Sequence, residues 1–226
     1  MTKVLVIQAH PHVSNSVSLT IGDQFVTSYR NSHPNDEIIV RDLFNNGVPP
    51  LDDTTMEAWK KQKMEQELTP AEQETIKDHN EWLEEFISAD KYIFINPMYN
   101  HFLPAELKQY LDVMAVAHKT FKYTSKGPVG LLHNKKAIHI QSAGNIYHTG
   151  TWGLIKYGAH KLFKRPYQEG CVLTDLGDLY LSEMLHFFGI KKIDKIFIEG
   201  VDAHRNEREQ IINAALNKAK NEALNF

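Results

Sequence analysis

The sequence predicts an α/β fold in which a five-stranded parallel β-sheet carries helices on both faces, a doubly wound arrangement. Two observations predict it. Five short, nearly continuous apolar runs, typical of strands covered on both faces, recur along the chain. Segments with helical periodicity separate these runs, and parallel strands need such crossover connections. We expect one domain over residues 1–226, with an insertion around 151–174.

The predicted strands share β-branched and aromatic residues, and turn-forming or charged residues bound them. They lie at 3–9, 37–43, 92–96, 137–141 and 193–199. The first apolar run, 4–7, is too short for the core of a signal peptide or for a membrane span. We therefore expect no secretion leader and no membrane partner.

Capping signals set the predicted helix boundaries. Asn15 or Ser16 caps a helix that runs to about Ser32. Thr69-Pro70-Ala71-Glu72 combines a capping box with proline at the first helical position, and Gly189 provides a C-cap. With the apolar periodicity, these signals predict helices at 16–32, 54–67, 70–89, 105–117, 176–188 and 206–224, and short extended pieces at 119–132.

Composition excludes several classes of protein. Lysine plus arginine is 25 and aspartate plus glutamate is 28, a net charge of −3 that argues against a dedicated nucleic-acid binder. Hydrophobic residues are 42% and charged residues 23%, which argues against wholesale disorder. The single cysteine, Cys171, cannot form an intrachain disulfide, so a reducing, cytoplasmic location is expected.

Function is expected in the loops that leave the carboxyl ends of the strands, because ligands of open α/β sheets bind there. The loop after the first strand carries hydroxyls at Ser14, Ser16 and Ser18 and opens a helix whose first N–H groups suit a phosphate. It has neither the GxGxxG nor the GxxxxGK[ST] pattern, which argues against a dinucleotide fingerprint or a P-loop.

Two further loops offer walls for a flat ring. Residues 96–102, after the third strand, combine a methionine, two aromatic residues and amide groups. Residues 141–147, after the fourth strand, include Gly144, which lets the backbone approach a ligand or take a positive φ. In the flavodoxin-like strand order 2-1-3-4-5 these loops converge, and the arrangement accommodates FMN.

The sequence resembles the FMN-dependent NADH-azoreductase/NADH:quinone oxidoreductase family over nearly its whole length. The segments that carry the resemblance are Lys3-Val4-Leu5-Val6, Ser16-Val17-Ser18, Val40-Arg41-Asp42-Leu43, Pro97-Met98-Tyr99-Asn100, Leu107-Lys108-Gln109-Tyr110-Leu111-Asp112, Thr120-Phe121-Lys122-Tyr123-Thr124, Gly127-Pro128, Gly130-Leu131 and Lys135-Lys136-Ala137. The most diagnostic of them is Pro97-Met98-Tyr99-Asn100, followed by the next helix.

The resemblance implies a flavodoxin-like fold, a homodimer with sites at its interface, FMN as cofactor and NADH or NADPH as electron donor. It also implies roles for individual residues. Those that would hold the FMN phosphate and ribityl end are His10, Ser16, Val17 and Ser18. Those that would contact the flavin ring are Pro97, Met98, Tyr99, Asn100 and His101, with Ser142, Ala143, Gly144 and Asn145 on its pyrimidine side. Phe121 and Tyr123 would help form the substrate pocket, in this chain or in the partner's site.

The implied reaction is the reduction of quinones and the cleavage of aromatic azo bonds, by ping-pong hydride transfer through FMN. The cofactor carries that chemistry, so no catalytic side chain is expected. The chain has 12 histidines but no HExxH motif or Cys-His cluster, so no metal site is expected either.

Four features depart from the family pattern. His10 and His101 stand where serine and phenylalanine are common, Asn145 stands where a second glycine is common, and 151–174 is longer than usual. His10-Pro11 resembles the related FAD-using NAD(P)H quinone dehydrogenases, which are an alternative interpretation. Two further interpretations are a flavodoxin-like electron carrier without a substrate of its own and an interaction protein without a cofactor.

Overall fold

A computed structural model describes residues 1–11, 14–148 and 174–226. Five parallel strands form the main sheet, and two antiparallel strands form a separate hairpin. The strands are β1 (Lys3–Gln8), β2 (Glu37–Asp42), β3 (Lys91–Pro97), β4 (Phe121–Thr124), β5 (Gly127–Gly130), β6 (Lys136–Ala143) and β7 (Lys192–Glu199). The main sheet has the order β2-β1-β3-β6-β7. Counted along the main sheet alone this is 2-1-3-4-5, so the predicted fold is confirmed.

The helices fill the predicted positions between the strands. In the described ranges they are α1 (Val17–Ser32), α2 (Leu43–Asn46), α3 (Asp53–Lys63), α4 (Pro70–Ser88), α5 (Ala105–Met114), α6 (Leu176–Phe188) and α7 (Arg208–Asn225), with a 3₁₀ turn at Arg205–Glu207. The capping box of α4 forms, since the Thr69 hydroxyl accepts from Glu72 N–H and the Glu72 carboxylate accepts from Thr69 N–H. Gly189 ends α6 in the left-handed conformation, at φ 104°.

Several predicted helices and strands extend beyond the ends that the structure shows. The helix predicted at 54–67 ends at Lys63, because Glu65 takes a positive φ of 54° and the chain turns there. The helix predicted at 105–117 ends at Met114, where Ala115 leaves the helical conformation. Leu43, predicted as the end of a strand, starts α2 because the Asp42 carboxylate accepts from the N–H groups of the next turn. The predicted insertion at 151–174 lies, except for Thr174, outside the described residues.

The sheet separates two apolar cores, because successive side chains of a strand point to opposite faces. On one face Leu5, Ile7, Tyr92 and Phe94 pack against α4, α5 and α6. On the other face the intervening residues of the same strands pack against α1 and α7. β1 and β3 are therefore buried on both sides, as their continuous apolar runs predict.

α1 lies unusually close to the sheet at Gly22. A Cβ at this position would lie 2.5 Å from Cδ1 and 2.8 Å from Cγ2 of Ile95 on β3. The contact fixes the height of α1 above the sheet, and with it the place of the helix start near the carboxyl ends of the strands.

We predict that Gly22→Ala destabilises the protein by up to about 2 kcal/mol. Overpacking of this kind costs about 1–3 kcal/mol, which outweighs the gain of about 1 kcal/mol in helix propensity. Urea unfolding measures the change. Ile95→Val removes the closest methyl group, so the two substitutions should couple favourably in a double-mutant cycle. Strictly additive effects would contradict the contact.

Candidate functional site

The structure joins the three predicted loops at the carboxyl edge of the sheet. Ala9 N–H donates to the Ile95 carbonyl at 2.9 Å, which holds the loop after β1 beside β3. Met98 N–H donates to the Ser142 carbonyl at 2.8 Å, which holds the loops after β3 and β6 together. Pro97 and Ser142 are also direct partners in the sheet register. The convergence predicted from the order of the strands is thus present.

The start of α1 has the features of an anion site. Ser16 is its N-cap, and the Ser16 Oγ accepts from Leu19 N–H and lies 3.4 Å from the buried Ser18 Oγ. The first N–H groups of a helix have no acceptor within the helix, so those of Val17 and Ser18 are directed outward. Within the described ranges, α1 is the only helix longer than one turn with no acidic residue in its first turn. The positive end of its dipole is therefore not neutralised. His10, at the end of β1, is buried.

The loop after β3 is a tight two-residue turn. Tyr99 and Phe102 exchange both backbone hydrogen bonds, at 3.0 and 2.9 Å. Between them Asn100 and His101 both have positive φ, 50° and 65°, the conformation of a type I′ turn. Asparagine tolerates this region, whereas histidine adopts it at a cost in strain, and such strain concentrates at functional sites. Tyr99 is 40% exposed.

The side chain of His101 has an unusual surrounding. Its Nδ1 atom is buried and has no hydrogen-bond partner among the described residues. The edge of its ring meets Tyr147, with centroids 5.6 Å apart. A buried polar atom without a partner is uncommon in a native structure and is explained where a ligand completes the site.

The loop after β6 is held by the loop after β7. The Gly144 carbonyl accepts from the N–H groups of Asp202 and Ala203, and the Asn145 carbonyl accepts from Gly200 N–H. One expectation is corrected here. Gly144 is not among the residues with positive φ, and a Cβ on it would lie 2.6 Å from an Asp202 carboxylate oxygen. The close approach that needs glycine is therefore made to Asp202.

α6 closes the same edge. A Cβ on Gly177, in its first turn, would lie 2.9 Å from the backbone of Phe102 and Leu103. The helix start is consequently pressed against the end of the turn after β3, and Phe102 also contacts Tyr180.

Phe121 and Tyr123 lie at the opposite edge of the sheet. Their strand, β4, belongs to the hairpin that packs against the carboxyl end of α6, where Phe121 is buried against Phe187 with centroids 4.3 Å apart. Leu132 N–H donates to the Phe188 carbonyl at the same place. The structure therefore does not bring Phe121 and Tyr123 to the three loops of their own chain. Tyr123 is 72% exposed.

A buried polar chain behind the loops was not found from the sequence. Tyr92, Phe94 and Asn96 share one face of β3, and Ala137, His139 and Gln141 share that face of β6. Asn96 and His139 are fully buried, and His139 Nε2 lies 2.9 Å from Asn96 Oδ1. These residues could have been found from the sequence, because they are polar residues at core positions of otherwise apolar strands.

The chain continues into α6 and β7. His139 Nδ1 lies 2.9 Å from Asp178 Oδ1, and the other oxygen of Asp178 accepts from Lys195. Gln141 donates to Asp175, the N-cap of α6. Burial alone would raise the pKa of Asp178, but hydrogen bonds and charge from His139 and Lys195 hold it below its ordinary value.

A cavity of about 370 Å³ opens beside this chain. It is lined by Tyr147, His148, Thr174, Asp175, Asp178, Leu179, Ser182 and Lys195. On its wall His148 stacks on Phe197, with centroids 3.8 Å apart, and its Nδ1 lies 2.8 Å from Glu199 Oε1. The Glu199 hydrogen bond raises the pKa of His148 above its ordinary value, against the effect of burial. Within the described ranges, no three His, Cys, Asp or Glu side chains cluster to hold a metal ion, and no helix is long and apolar enough to cross a bilayer.

We predict that His148 stabilises the fold more at low pH. Its pKa is raised in the folded state, so the contribution is complete below the unfolded value of about 6.5 and disappears as pH rises through the folded value. Unfolding free energies of wild type and His148→Gln should therefore differ most below about pH 6.5 and converge above neutrality. In Glu199→Gln, proton NMR should place the His148 pKa near its ordinary value. An unchanged His148 pKa in Glu199→Gln would show that Glu199 does not raise it.

Comparison with known proteins gives a consistent picture. The chain matches a protein family described as having a flavodoxin-like fold, over residues 2–223. It is 52% identical over 216 residues to FMN-dependent NADH:quinone oxidoreductase 2 of Lactiplantibacillus plantarum, covering 95% of each chain. It is 41% identical to FMN-dependent NADH:quinone oxidoreductase 1 of Lactococcus lactis, covering 98% of each.

Solved structures agree with these relatives. The crystal structure of an azoreductase from Bacillus anthracis superimposes with a TM-score of 0.84 at 30% identity, over 100% of both chains. An FMN-dependent NADH-azoreductase from the same species, in complex with FMN, gives a TM-score of 0.84 at 31% identity, over 99% of this chain and 98% of that one.

Proposed function

The chain belongs to the flavodoxin-like family of FMN-dependent NADH:quinone oxidoreductases, and from this we propose that it binds FMN and uses NADH to reduce quinones and aromatic azo compounds. One observation about its own structure carries the proposal. A helix start without acidic neighbours and a strained type I′ turn meet at one edge of the sheet, where one suits a phosphate and the other a flat polar ring.

The residues present fit FMN. We propose that the first turn of α1 holds the phosphate through backbone N–H groups and hydroxyls; the residues are His10, Ser16, Val17 and Ser18. The ring would be held by Pro97, Met98, Tyr99, Asn100 and His101, with Ser142, Ala143, Gly144 and Asn145 at its pyrimidine side. In a type I′ turn the two central N–H groups take no part in the turn's own hydrogen bonds, so those of Asn100 and His101 are available to a ring oxygen or nitrogen.

When bound, FMN would supply the redox chemistry of the proposed ping-pong cycle between NADH and the acceptor. The protein's task is to bind and orient. The α1 start fixes the charged end, while the Tyr99–Phe102 turn, held between Ser142 and Gly177, fixes the plane against which flat substrates stack. No side chain of this edge is required as nucleophile or base.

We further propose that the chain is a single domain that works as a cytoplasmic homodimer. The exposed Tyr123, at the far edge from the cofactor loops of its own chain, supports the dimer, because only a partner's site is open to it. Both apolar cores pack on the same sheet, which supports a single domain. The single cysteine suits a reducing compartment, which supports a cytoplasmic location.

The absorption spectrum of the purified protein, with mass identification of the released flavin, tests the proposal. FMN is expected; FAD would favour the FAD-using quinone dehydrogenases, and no flavin on reconstitution would refute the proposal. Steady-state oxidation of NADH with menadione and with an azo dye follows. An FMN protein that turns over neither acceptor would be an electron carrier instead.

We predict that Ser16→Ala with Ser18→Ala weakens FMN affinity at least tenfold, about 1.4 kcal/mol, because hydrogen bonds to a charged group are lost. Fluorescence titration with FMN measures it. Thr69→Ala is the matched control, since it also removes a helix cap but lies at α4, away from the site. Equal affinity in the double variant and the control would place the phosphate elsewhere.

We predict that Tyr123→Ala raises KM for the acceptor several-fold with little change in FMN affinity. An aromatic contact contributes about 0.5–1.5 kcal/mol beyond its buried area, which corresponds to roughly 2–13-fold. Tyr123→Phe keeps the ring and should behave as wild type. A loss of bound FMN in Tyr123→Ala would contradict a role limited to the acceptor.

A further inference from the structure

The buried polar chain behind the site has only one arrangement in which every donor meets an acceptor. At one end, the Asp175 carboxylate accepts from Asp178 N–H at 2.8 Å and from the Gln141 amide. The Gln141 nitrogen must therefore face Asp175, and its oxygen faces Asn96 Nδ2 at 3.2 Å. Neither amide can be reversed without placing two oxygens in contact.

The orientation of the Gln141 amide determines that of the Asn96 amide. Its Nδ2 donates to Gln141 Oε1 and, at 3.0 Å, to the Pro97 carbonyl. Both neighbours are acceptors, so the nitrogen of the Asn96 amide is on that side and the oxygen points to His139 Nε2, 2.9 Å away. His139 Nε2 must carry a proton to donate there.

The other ring nitrogen of His139 also faces an acceptor. His139 Nδ1 lies 2.9 Å from Asp178 Oδ1, while Asp178 Oδ2 accepts from Lys195, whose Nζ also donates to Ser182. The ion pair with Lys195 keeps the Asp178 carboxylate ionised, so it only accepts. Acceptors thus face both ring nitrogens of the buried His139, an arrangement in which only the doubly protonated ring donates to both.

The charges around His139 compensate one another. α6 contributes Asp178 and Asp175, β7 contributes Lys195, and Phe197 turns its ring at 87° to the imidazole at 6.0 Å. The His148–Glu199 pair lies further along the same wall. Two carboxylates thus balance two cations, which is the condition under which buried charge is tolerated.

The Pro97–Met98 peptide connects this chain to the site. Its carbonyl accepts from Asn96, and its N–H donates to Ser142 at 2.8 Å. The peptide directly precedes the Tyr99–Phe102 turn. A proton on His139 Nε2 keeps the Asn96 oxygen on the side of His139, and the Asn96 nitrogen therefore stays on the Pro97 carbonyl.

We propose that His139 is a positioning residue: a buried imidazolium whose charge fixes the orientation of Asn96 and Gln141 and, through Asn96, the peptide on which the flavin-binding turn is built. The charge and the orientation are properties of the chain alone. The last step rests on the proposed function.

NMR of the full-length protein, labelled with ¹⁵N-histidine, tests the charge at neutral pH. Two protonated ring nitrogens are expected for His139, and these signals should vanish in His139→Gln, which assigns them. A neutral tautomer at His139 would overturn the proposal. The signals are recorded on the wild-type protein without FMN, and His139→Gln serves only to assign them.

A pair of variants separates positioning from a merely structural role. Asn96→Asp keeps an acceptor for His139 but has no donor for Gln141 or Pro97, so both stability and FMN affinity should fall, the affinity at least tenfold. Adding Asp175→Asn exchanges the carboxylate and the amide between positions 96 and 175, which lie on either side of Gln141. Gln141 can then reverse, so that its own amide is satisfied at both ends and the net charge is restored, but the Pro97 carbonyl still has no donor.

The double variant should therefore recover the urea midpoint, measured without added flavin, while FMN affinity stays at least tenfold below wild type. Recovery of both together would overturn the positioning role, as would an Asn96→Asp protein that equals wild type in both. A wild-type protein that binds no FMN would refute the proposed function and with it the last step, while the ring-nitrogen signals would still decide the charge.

Discussion

The hydrogen bond from Met98 N–H to the Ser142 carbonyl continues the pairing of β3 with β6 beyond the end of β3. Everything at this edge depends on it. It holds two loops at a fixed separation, it sets the starting direction of the Tyr99–Phe102 turn, and it leaves the Pro97 carbonyl directed at Asn96. A hydrogen bond between backbone groups does not depend on which side chains the two residues have. The loop residues can therefore vary while the positions of the two loops stay fixed.

The frame was predictable from the sequence because it depends on periodicity and capping. The continuous runs in β1 and β3 are what a strand buried on both faces needs. The Thr69 cap predicted the start of α4 to the residue, and the choice of Asn15 or Ser16 predicted the start of α1 to within one residue. The meeting of three loops followed from the strand order alone. Helix ends were predicted less well, since Glu65 and Ala115 leave the helix without a glycine or proline to mark the place.

Within the site, the residues in the loops were foreseen and those beneath them were not. His139 was predicted as an ordinary strand residue, and Asn96 and Gln141 only as the first residues of two loops. Their connection was missed because the partners Asp175, Asp178 and Lys195 are distant in the sequence and only the fold brings them together. Gly144 shows the converse limit. A positive φ or a close approach to a ligand was expected there, but φ is not positive and the nearest group, the Asp202 side chain, belongs to another loop.

The position of the β4–β5 hairpin at the amino edge of the sheet has a genetic consequence. If each site of a homodimer takes its cofactor loops from one subunit and its acceptor wall from the other, lesions in the two regions complement each other. A mixed dimer of one chain damaged at Ser16 and another damaged at Tyr123 contains one site with both defects and one with neither. A strain that carries both alleles would therefore regain intact sites in its mixed dimers, although each allele alone is impaired, and selection could alter acceptor range without touching cofactor retention.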